Sequence, residues 1–519
     1  NRIPEAEELL AMSQEPLPVK DRVTDAASMD VLARARQAGI ATSFDRVDAQ
    51  GRRCKFGTEG VCCRLCHMGP CRITAKSPRG VCGADADTIV ARNFLREVAG
   101  GVSAHADHGR HLVLLLKGVA EGRQNGYAIR DEKALRRIAA QYDVECESRD
   151  TDSIAAELAE AMLREYAGQE EPIHTPSLAP TKRTARWRKH GVLPTGIDRT
   201  VVEAMHRTHI GVDHDYRNLL QHAFRSALAD GWGGSRIASQ VSDILFGTPQ
   251  PLRSEANLGV LRPETVNIVV HGHEPEISEM LAVAAGDPDV VEYARQAGAE
   301  GVTLAGICCT ANEILMRHGI AVAGNFLQQE LAIVTGQVEM MFVDVQCCMP
   351  SLPEVAAAYH TEIVSTSDIA RTAGARHRTL DPDDPLESAK TLIREAIDNF
   401  AHRNPDKVAT VEERRQMVAG FSVDAIRYML GGSFRASFRP LNDAIMAGRI
   451  RGVAGIVGCN NPRTKMEAYT EALTRELIRR DVLVLKTGCA AICSAKAGIM
   501  TPETAMEEAG AGLREVCEA

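Results

Sequence analysis

The chain has 519 residues, which at about 150 residues per domain predicts roughly three domains. Hydrophobic residues make up 45% of it and charged residues 25%, a composition that excludes a largely disordered chain. A net charge of −9 gives no electrostatic reason to expect nucleic-acid or anionic-membrane binding. The first residues lack the basic and apolar segments of a signal peptide, and no apolar run approaches a membrane span. We therefore expect a cytoplasmic protein, with any membrane contact made through partners.

The first half of the chain, residues 1–250, is predicted to be largely helical. Its apolar residues recur at three- and four-residue spacing, as in DSIAAELAEAMLREYAG. The segment 168–191 is rich in proline and then basic, so we predict a long surface loop there. We interpret its basic run as a solvated face, with a docking site for an acidic partner as the alternative.

Short apolar runs alternate with helical stretches in the second half. The runs are VNIVVHGH at 266–273, GVTLAGICC at 301–309, MMFVDVQCC at 340–348, GVAGIVGCN at 452–460 and DVLVLKTGC at 481–489. Continuous apolar runs are typical of parallel strands buried on both faces, and the intervening helices fit βαβ crossovers. A helical stretch is expected at about 385–430. The pattern therefore predicts an α/β chain in which a helical domain (1–250) precedes two doubly wound parallel-sheet domains (251–395 and 396–519).

Each of the five predicted strands ends in a potential metal ligand. These ligands are His273, Cys309, Cys347, Cys459 and Cys489. In open α/β sheets, ligands bind in the crevice at the carboxyl ends of the strands, so we expect one shared site. Four thiolates and one imidazole exceed what a single zinc ion needs and suit a polynuclear iron–sulfur cluster with an extra metal. The alternative for any one cysteine is a small buried hydrophobe.

A second group of cysteines lies close together near residue 60. Four of them have the compact spacings x2, x4 and x10: Cys63, Cys66, Cys71 and Cys82. Cys54 and Cys62 are left over, and adjacent side chains such as those of Cys62 and Cys63 point in different directions. This favours a complete four-thiolate set beside half of a second set, which a two-fold dimer would complete. A zinc ribbon is the alternative, and it would leave two cysteines unexplained.

Three histidines in GGVSAHADHGRHL recur at intervals of three: His105, His108 and His111. We predict that they lie at the start of a helix. Because histidine titrates near neutral pH, such a row could conduct protons. A polar surface turn with incidental histidines is the alternative.

Seven motifs, in order between residues 50 and 490, resemble the catalytic subunit of nickel-dependent, anaerobic carbon monoxide dehydrogenases. They are GVCCRLCHMGPCRI, AHADHGRH, VHGHEPEISE, GICCTANE, VDVQC, GIVGCNN and KTGC. The resemblance implies a helical N-terminal domain, two Rossmann-like domains and a homodimer. It also implies the reversible oxidation of carbon monoxide with water to carbon dioxide, two protons and two electrons. The electrons would pass to a ferredoxin-type acceptor.

The resemblance further implies a role for each group of cysteines. A [4Fe–4S] cluster bridging the two subunits matches Cys54 and Cys62, and an ordinary [4Fe–4S] relay cluster matches the four-thiolate set. The active nickel–iron–sulfur cluster would take His273 and Cys309 on its pendant iron. Its cubane irons would be held by Cys347, Cys459 and Cys489. His273 is preferred over His271, because the family ligand is the second histidine of the motif, and Cys309 is preferred over Cys308 on the same kind of ground.

The histidine row also acquires a role from the resemblance. His105 matches the active-site histidine, with His108 and His111 continuing a proton path. Asp230, in ADGWGGS, matches a supporting acid. The family has a further nickel-ligating cysteine and an active-site lysine, both expected beyond Ala519, so we interpret the sequence as part of a longer protein. The alternative is an incomplete nickel site.

Two competing functions remain at the level of sequence. A hybrid-cluster protein that reduces hydroxylamine shares the fold, but it has no half-set such as Cys54 and Cys62. A non-catalytic iron–sulfur electron-transfer subunit would not need five mixed ligands at strand ends. Three further cysteines are interpreted as structural: Cys146, Cys348 and Cys493.

Overall fold

The computed structural model describes residues 18–124 and 126–518, with no side-chain detail for 432–435. The chain falls into two compact units. The helical unit is Arg52–Thr248, and the sheet unit joins the first 51 residues to the part that begins at Pro249. This grouping differs from the three consecutive blocks of the sequence analysis, whose boundaries stay a prediction.

The helical unit is built around one long helix. This helix, Ala86–Ala120, begins where the Asp85 side chain accepts a hydrogen bond from the backbone N–H of Thr88. Its small and aliphatic residues, such as Leu95, pack against Leu219 and other apolar residues of neighbouring helices. The other helices are Lys55–Thr58, Glu132–Gln141, Thr151–Ala167, Thr181–Lys189, Ile197–Arg207, Tyr216–Ala229 and Ser235–Phe246. A short antiparallel ribbon, β1 (Cys62–Cys63) with β2 (Cys71–Arg72), carries the first cysteines.

The basic segment at 168–191 is not the long loop that we predicted. It contains a 3-10 turn at Thr175–Leu178 and the helix Thr181–Lys189, which we call the basic helix. Lysine, arginine and alanine are strong helix formers, and Pro180 precedes the first turn, where a proline costs nothing. The helix buries none of its residues, so it lacks the apolar periodicity that would have revealed it.

The sheet unit contains a mostly parallel sheet of eight strands. Their order across the sheet is β10-β3-β6-β5-β4-β7-β8-β9, with only β10 antiparallel to its neighbour. The strands are β3 (Leu252–Ala256), β4 (Val266–Gly272), β5 (Val302–Ile307), β6 (Val322–Gly324), β7 (Val338–Val343), β8 (Glu362–Ser365), β9 (Arg376–His377) and β10 (Arg415–Ala419). A separate parallel pair consists of β11 (Gly452–Ile456) and β12 (Val482–Lys486). All five strands predicted from apolar runs are present, and the α/β fold class is confirmed.

Two details of the strand prediction are wrong. β4 and β7 are buried along their whole length, as expected, but β11 and β12 are only partly buried in the described chain. The predicted helical stretch at about 385–430 is also interrupted, because β10 adds an edge strand between two helices. A short edge strand with one exposed side carries too little apolar signal to be separated from a helix.

The helices beyond β4 lie between strands of the sheet unit, except for the last three, which follow β12. They are Pro275–Ala285, Pro288–Gln296, Cys308–His318, Gln329–Val334, Leu352–Ala356, Pro385–Asn399, Val423–Arg435, Arg439–Met446, Ala468–Arg479, Gly488–Lys496, Pro502–Glu508 and Ala511–Glu518. None of the helices in the described ranges is long and apolar enough to span a membrane.

The N-terminal helices belong to the sheet unit rather than to the helical unit. Ala26–Gln37 and Ser43–Ala49 place Leu32 and Phe44 in the same buried cluster as Leu331 and Met341. This apolar burial explains why residues 18–51 group with the sheet, although their sequence separation from it is large.

Candidate metal centre

The carboxyl ends of three adjacent strands place predicted ligands at one edge of the large sheet. β4 lies between β5 and β7, and all three run parallel. His273 follows β4 directly, Cys309 lies in the first turn of the helix after β5, and Cys347 lies in the turn after β7. In the smaller sheet, Cys459 and Cys489 follow β11 and β12 in the same way. The three strand ends of the large sheet and the two of the small sheet thus carry the candidate ligands where the sequence predicted them.

The thiols at these strand ends contact one another across the two sheets. The sulfur atoms of Cys489 and Cys308 are 3.9 Å apart. Cys459 interacts with both Cys347 and Cys489, and their thiol hydrogen bonds lower the pKa of Cys459 below its usual range. Cys347 also hydrogen-bonds to Cys308. The two sheets therefore bring four cysteine sulfurs into one group.

Cys309 and His273 lie beside this group. A Cβ atom on Gly488 would be 3.8 Å from the Cys309 sulfur, so the backbone before Cys489 passes close to it. Burial raises the pKa of the Cys309 thiol to about 12, with the nearby Cys347 and Cys459 adding to the effect. The charge of His273 also lowers the pKa of Cys459, so the imidazole lies close enough to affect this thiol. A metal bound here would have to displace the proton of Cys309, which makes occupancy dependent on pH.

The donor set fits a polynuclear cluster better than a single ion. In residues 18–124 and 126–518, no three His, Cys, Asp or Glu side chains are arranged to hold one metal ion. A cluster differs from a zinc site in this respect, because its metals are spread over several ångströms and each takes its own thiolate. Soft thiolates with one imidazole match iron and nickel in a sulfide-rich cluster.

The backbone at two of the strand ends adopts a conformation that non-glycine residues rarely take. Cys308, Gln346 and Cys347 have φ values of 65°, 62° and 59°. This left-handed region costs about 1 kcal/mol or more for a residue with a Cβ atom, and it persists where the surrounding fold requires it. The strained turns orient the sulfurs of Cys308 and Cys347 towards their neighbours.

Asp344 organises the strand ends, and the sequence analysis missed it. Its buried carboxylate accepts hydrogen bonds from the backbone N–H of His273 at 2.6 Å and of Glu274 at 3.2 Å. It also accepts the hydroxyl of Thr310 at 3.2 Å. A Cβ atom on Gly272 would collide with this carboxylate, so only glycine fits there. Burial, followed by the charge of Glu274, raises the pKa of Asp344 well above its usual range. The aspartate of VDVQC was the available signal.

His271 is the last residue but one of β4. It is fully buried, and its Nε2 lies 3.0 Å from Oε1 of Gln329. The Gln329 amide in turn donates to the carbonyl oxygen of Cys347 at 3.0 Å. This position supports His273, rather than His271, as the ligand, and it gives His271 a part in holding the turn of Cys347.

The four-thiolate set in the helical unit lines one cavity. Cys63, Cys66, Cys71 and Cys82 all contribute to its wall. A Cβ atom on Gly80 would lie 3.5 Å from the Cys71 sulfur, and the backbone N–H of Val81 donates to that sulfur at 3.5 Å. Such N–H donors stabilise thiolates. An apolar cavity with four inward thiols fits a [4Fe–4S] cluster.

Cys54 and Cys62 lie outside this cavity. In β1, Cys63 is buried on the cavity side, whereas Cys62 is half-buried and does not line the cavity. Cys54 is exposed just before the helix Lys55–Thr58. The opposite directions of Cys62 and Cys63 agree with the expectation that adjacent cysteines serve different groups.

The histidine row lies within the long helix and not at its start, as we had predicted. His105 is about midway along Ala86–Ala120, because the helix begins at the Asp85 cap and continues without interruption. His105 and His108 are half-buried and His111 is exposed. A spacing of three turns each residue by about 60° relative to the one before, so the row leads towards the surface of the unit.

His105 is paired with Asp230 across the helical unit. Nδ1 of His105 and Oδ1 of Asp230 are 2.8 Å apart. Asp230 begins a π-helical turn, Asp230–Gly234, a type of irregularity frequent at functional sites. This turn approaches the long helix so closely that a Cβ atom on Gly234 would lie 2.9 Å from the Cα of Ala106. Glycine is therefore required for the contact.

Comparison with known proteins decides the family. The profile described as Prismane/CO dehydrogenase family matches residues 61–518. This chain belongs to that family. Carbon monoxide dehydrogenase 1 of Methanosarcina mazei is 47% identical over 502 residues, covering 96% of this chain and 79% of that protein.

Solved structures of the family have the same fold. A nickel-free structure of carbon monoxide dehydrogenase from Thermococcus sp. AM4 superposes with a TM-score of 0.94 at 47% identity, covering 97% of this chain and 80% of that one. Carbon monoxide dehydrogenase IV from Carboxydothermus hydrogenoformans gives a TM-score of 0.92 at 42% identity, with 96% and 79% covered. The Rossmann-like fold expected from the resemblance is confirmed.

Proposed function

We propose that this chain is the catalytic subunit of an anaerobic carbon monoxide dehydrogenase. It oxidises carbon monoxide with water, reversibly, to carbon dioxide, two protons and two electrons. The observation that carries this proposal is the group of thiols and one imidazole at the ends of five strands in the sheet unit. Near relatives that are carbon monoxide dehydrogenases support it over almost the whole chain.

Five residues would hold a nickel–iron–sulfur cluster in the sheet unit: His273, Cys309, Cys347, Cys459 and Cys489. When bound, the cluster supplies metals that bind carbon monoxide and lower the pKa of a bound water, so that a nucleophile exists at neutral pH. The protein holds the ligand-bearing turns in place. Asp344 fixes the backbone of His273, and Gln329 fixes that of Cys347.

His105 accepts a proton released in the reaction, and Asp230 holds its imidazole by the bond at Nδ1. Because Nδ1 is engaged with the carboxylate, Nε2 is the nitrogen that exchanges the proton. His108 and His111 pass protons onwards along the long helix. His111, the last histidine of the row, is exposed to solvent.

The helical unit relays the electrons. Cys63, Cys66, Cys71 and Cys82 would hold a [4Fe–4S] relay cluster in their shared cavity. Cys54 and Cys62 would contribute half of a second [4Fe–4S] cluster, completed by another copy of the chain in a homodimer. The electrons leave to a ferredoxin-type acceptor in the cytoplasm.

The direct test is substrate-dependent electron release. The protein, isolated without oxygen from cells supplied with nickel and iron, is assayed for reduction of methyl viologen by carbon monoxide. Hydroxylamine reduction is measured in parallel with reduced methyl viologen. Carbon monoxide oxidation without hydroxylamine reduction supports the proposal, and the reverse result would assign the chain to the hybrid-cluster branch.

A further inference from the structure

The basic helix forms one wall of a surface cleft in the helical unit. The cleft has a volume of about 490 Å³. Its walls are Ala179, Pro180, Lys182, Arg183, Arg186, Trp187 and Trp232. The proposed function uses none of these residues. A volume of this size is typical of a pocket that encloses a ligand or a protruding side-chain cluster.

The charge of this helix is not neutralised. Five of its nine residues are basic: Lys182, Arg183, Arg186, Arg188 and Lys189. In the part of the chain that the structure describes, no acidic side chain forms an ion pair with any of them. The helix also buries no residue, so packing does not account for its composition. The chain as a whole has a net charge of −9, so this helix is opposite in sign to the overall charge.

The cleft also contains both tryptophans of the chain. Trp187 and Trp232 meet edge to face with ring centroids 5.5 Å apart. Arg183 lies over Trp187 at 6.0 Å, and Arg236 lies over Trp232 at 5.3 Å. Half-buried tryptophans held beside arginines are the residue types that dominate binding energy at protein interfaces.

We propose that this cleft docks an acidic segment of a partner protein. Carboxylates of the partner pair with Lys182, Arg183 and Arg186, and an apolar part of the segment contacts the tryptophan pair. The cations continue along the helix beyond the cleft, which suits an extended acidic surface rather than a small molecule. No phosphate-binding loop motif occurs in the sequence, so a nucleotide is not favoured.

The tryptophans provide a site-specific readout. Because the chain has only two and both line the cleft, intrinsic tryptophan emission reports this cleft alone. The metal-loaded full chain is titrated with a ten-residue polyglutamate peptide, a polyglutamine peptide of equal length, and ATP. Emission and heat of binding are recorded at low and at physiological salt.

Charge-reversal variants on the same helix separate the cleft from general attraction. Arg183→Glu with Arg186→Glu removes two cleft cations, whereas the control Arg188→Glu with Lys189→Glu makes the same charge change outside the cleft. Arg183→Gln with Arg186→Gln serves if the reversal disturbs folding, which circular dichroism reports.

We expect polyglutamate to bind, to change tryptophan emission and to weaken with salt, while polyglutamine does not bind. Affinity should fall by about tenfold or more in the cleft variant, and much less in the control variant. Three results would overturn the proposal: no polyglutamate binding, equal losses in the cleft and control variants, or ATP binding more tightly than the peptide at the same site. Carbon monoxide oxidation is unaffected by these variants, so this test is independent of the proposed function.

Discussion

Nδ1 of His105 and Oδ1 of Asp230 lie 2.8 Å apart, joining the middle of the long helix to a π-helical turn. The hydroxyl of Ser235 donates to the same carboxylate oxygen at 2.5 Å. The Ser235 hydroxyl thereby helps to hold the Asp230 carboxylate in the orientation that pairs with the His105 imidazole. This arrangement orients one ring nitrogen and leaves the other for proton exchange, as expected of a histidine that acts as a base.

His105→Ala is expected to lower turnover of carbon monoxide by a factor of about 10² to 10⁴, the usual contribution of a positioned acid or base. Nickel and iron content should be unchanged, because His105 is not assigned as a ligand. His108→Ala is the comparison variant and should cost less, since water can replace a later member of the path. Full activity of His105→Ala with its metals retained would exclude the proton role.

Asp230→Asn is expected to move the pH dependence of kcat/KM. The hydrogen bond to Asp230 raises the pKa of His105, and burial opposes this only in part. A base must be deprotonated to act, so a raised pKa places the acidic limb of the profile at higher pH. Removing the charge of Asp230 lowers the pKa of His105, and the limb should shift to lower pH. An unshifted limb would show that another group titrates there.

The double variant Cys54→Ala, Cys62→Ala is expected to lose one cluster per dimer and to weaken the dimer. The reason is that these two cysteines lie outside the cavity of the four-thiolate set. Iron analysis and sedimentation velocity measure the two effects. Cys146→Ala is the matched control, because this cysteine belongs to neither group. Unchanged iron and an unchanged dimer would refute the shared cluster.

Lys496→Met is expected to destabilise the sheet unit. Nζ of Lys496 lies 2.6 Å from Glu467 and 3.0 Å from Asp25, and all three side chains are buried. Removing the cation leaves two buried carboxylates without a positive charge to pair with, which typically costs about 3–5 kcal/mol. Chemical denaturation followed by circular dichroism measures the change. Lys390→Met removes a pair with Asp287 nearer the surface and should cost far less; similar losses in both would contradict the argument.

The strands and the places of the candidate ligands at their ends could be predicted because parallel strands leave a strong local signal. β4 and β5 fall within apolar runs marked in the sequence, and β7 overlaps a third run. Their carboxyl ends share one edge whatever the details of packing. The candidate ligand at each strand end is a cysteine or a histidine, and few residue types bind metals in this way. The order of strands and the mutual contacts of the thiols needed the structure.

Other features left a local signal too weak to interpret. Asp344 acts through hydrogen bonds from the backbone of His273. A single aspartate after a strand does not indicate which backbone groups it will contact. The basic helix fully buries none of its residues, so hydrophobic periodicity could not show it. Residues 18–51 join the sheet unit through apolar contacts, such as those of Phe44, with residues that are distant in sequence.

The most direct test of the nickel–iron–sulfur site is to compare the nickel content of variants at two adjacent residues. Cys347 hydrogen-bonds within the thiol group, whereas the Cys348 thiol donates to the backbone carbonyl oxygen of Gln346 at 3.3 Å. Nickel measured by plasma emission should be lost in Cys347→Ala and retained in Cys348→Ala, with the relay cluster unchanged in both. Nickel retained in Cys347→Ala, or lost equally in both variants, would contradict the assignment of the strand-end group as the nickel–iron–sulfur site.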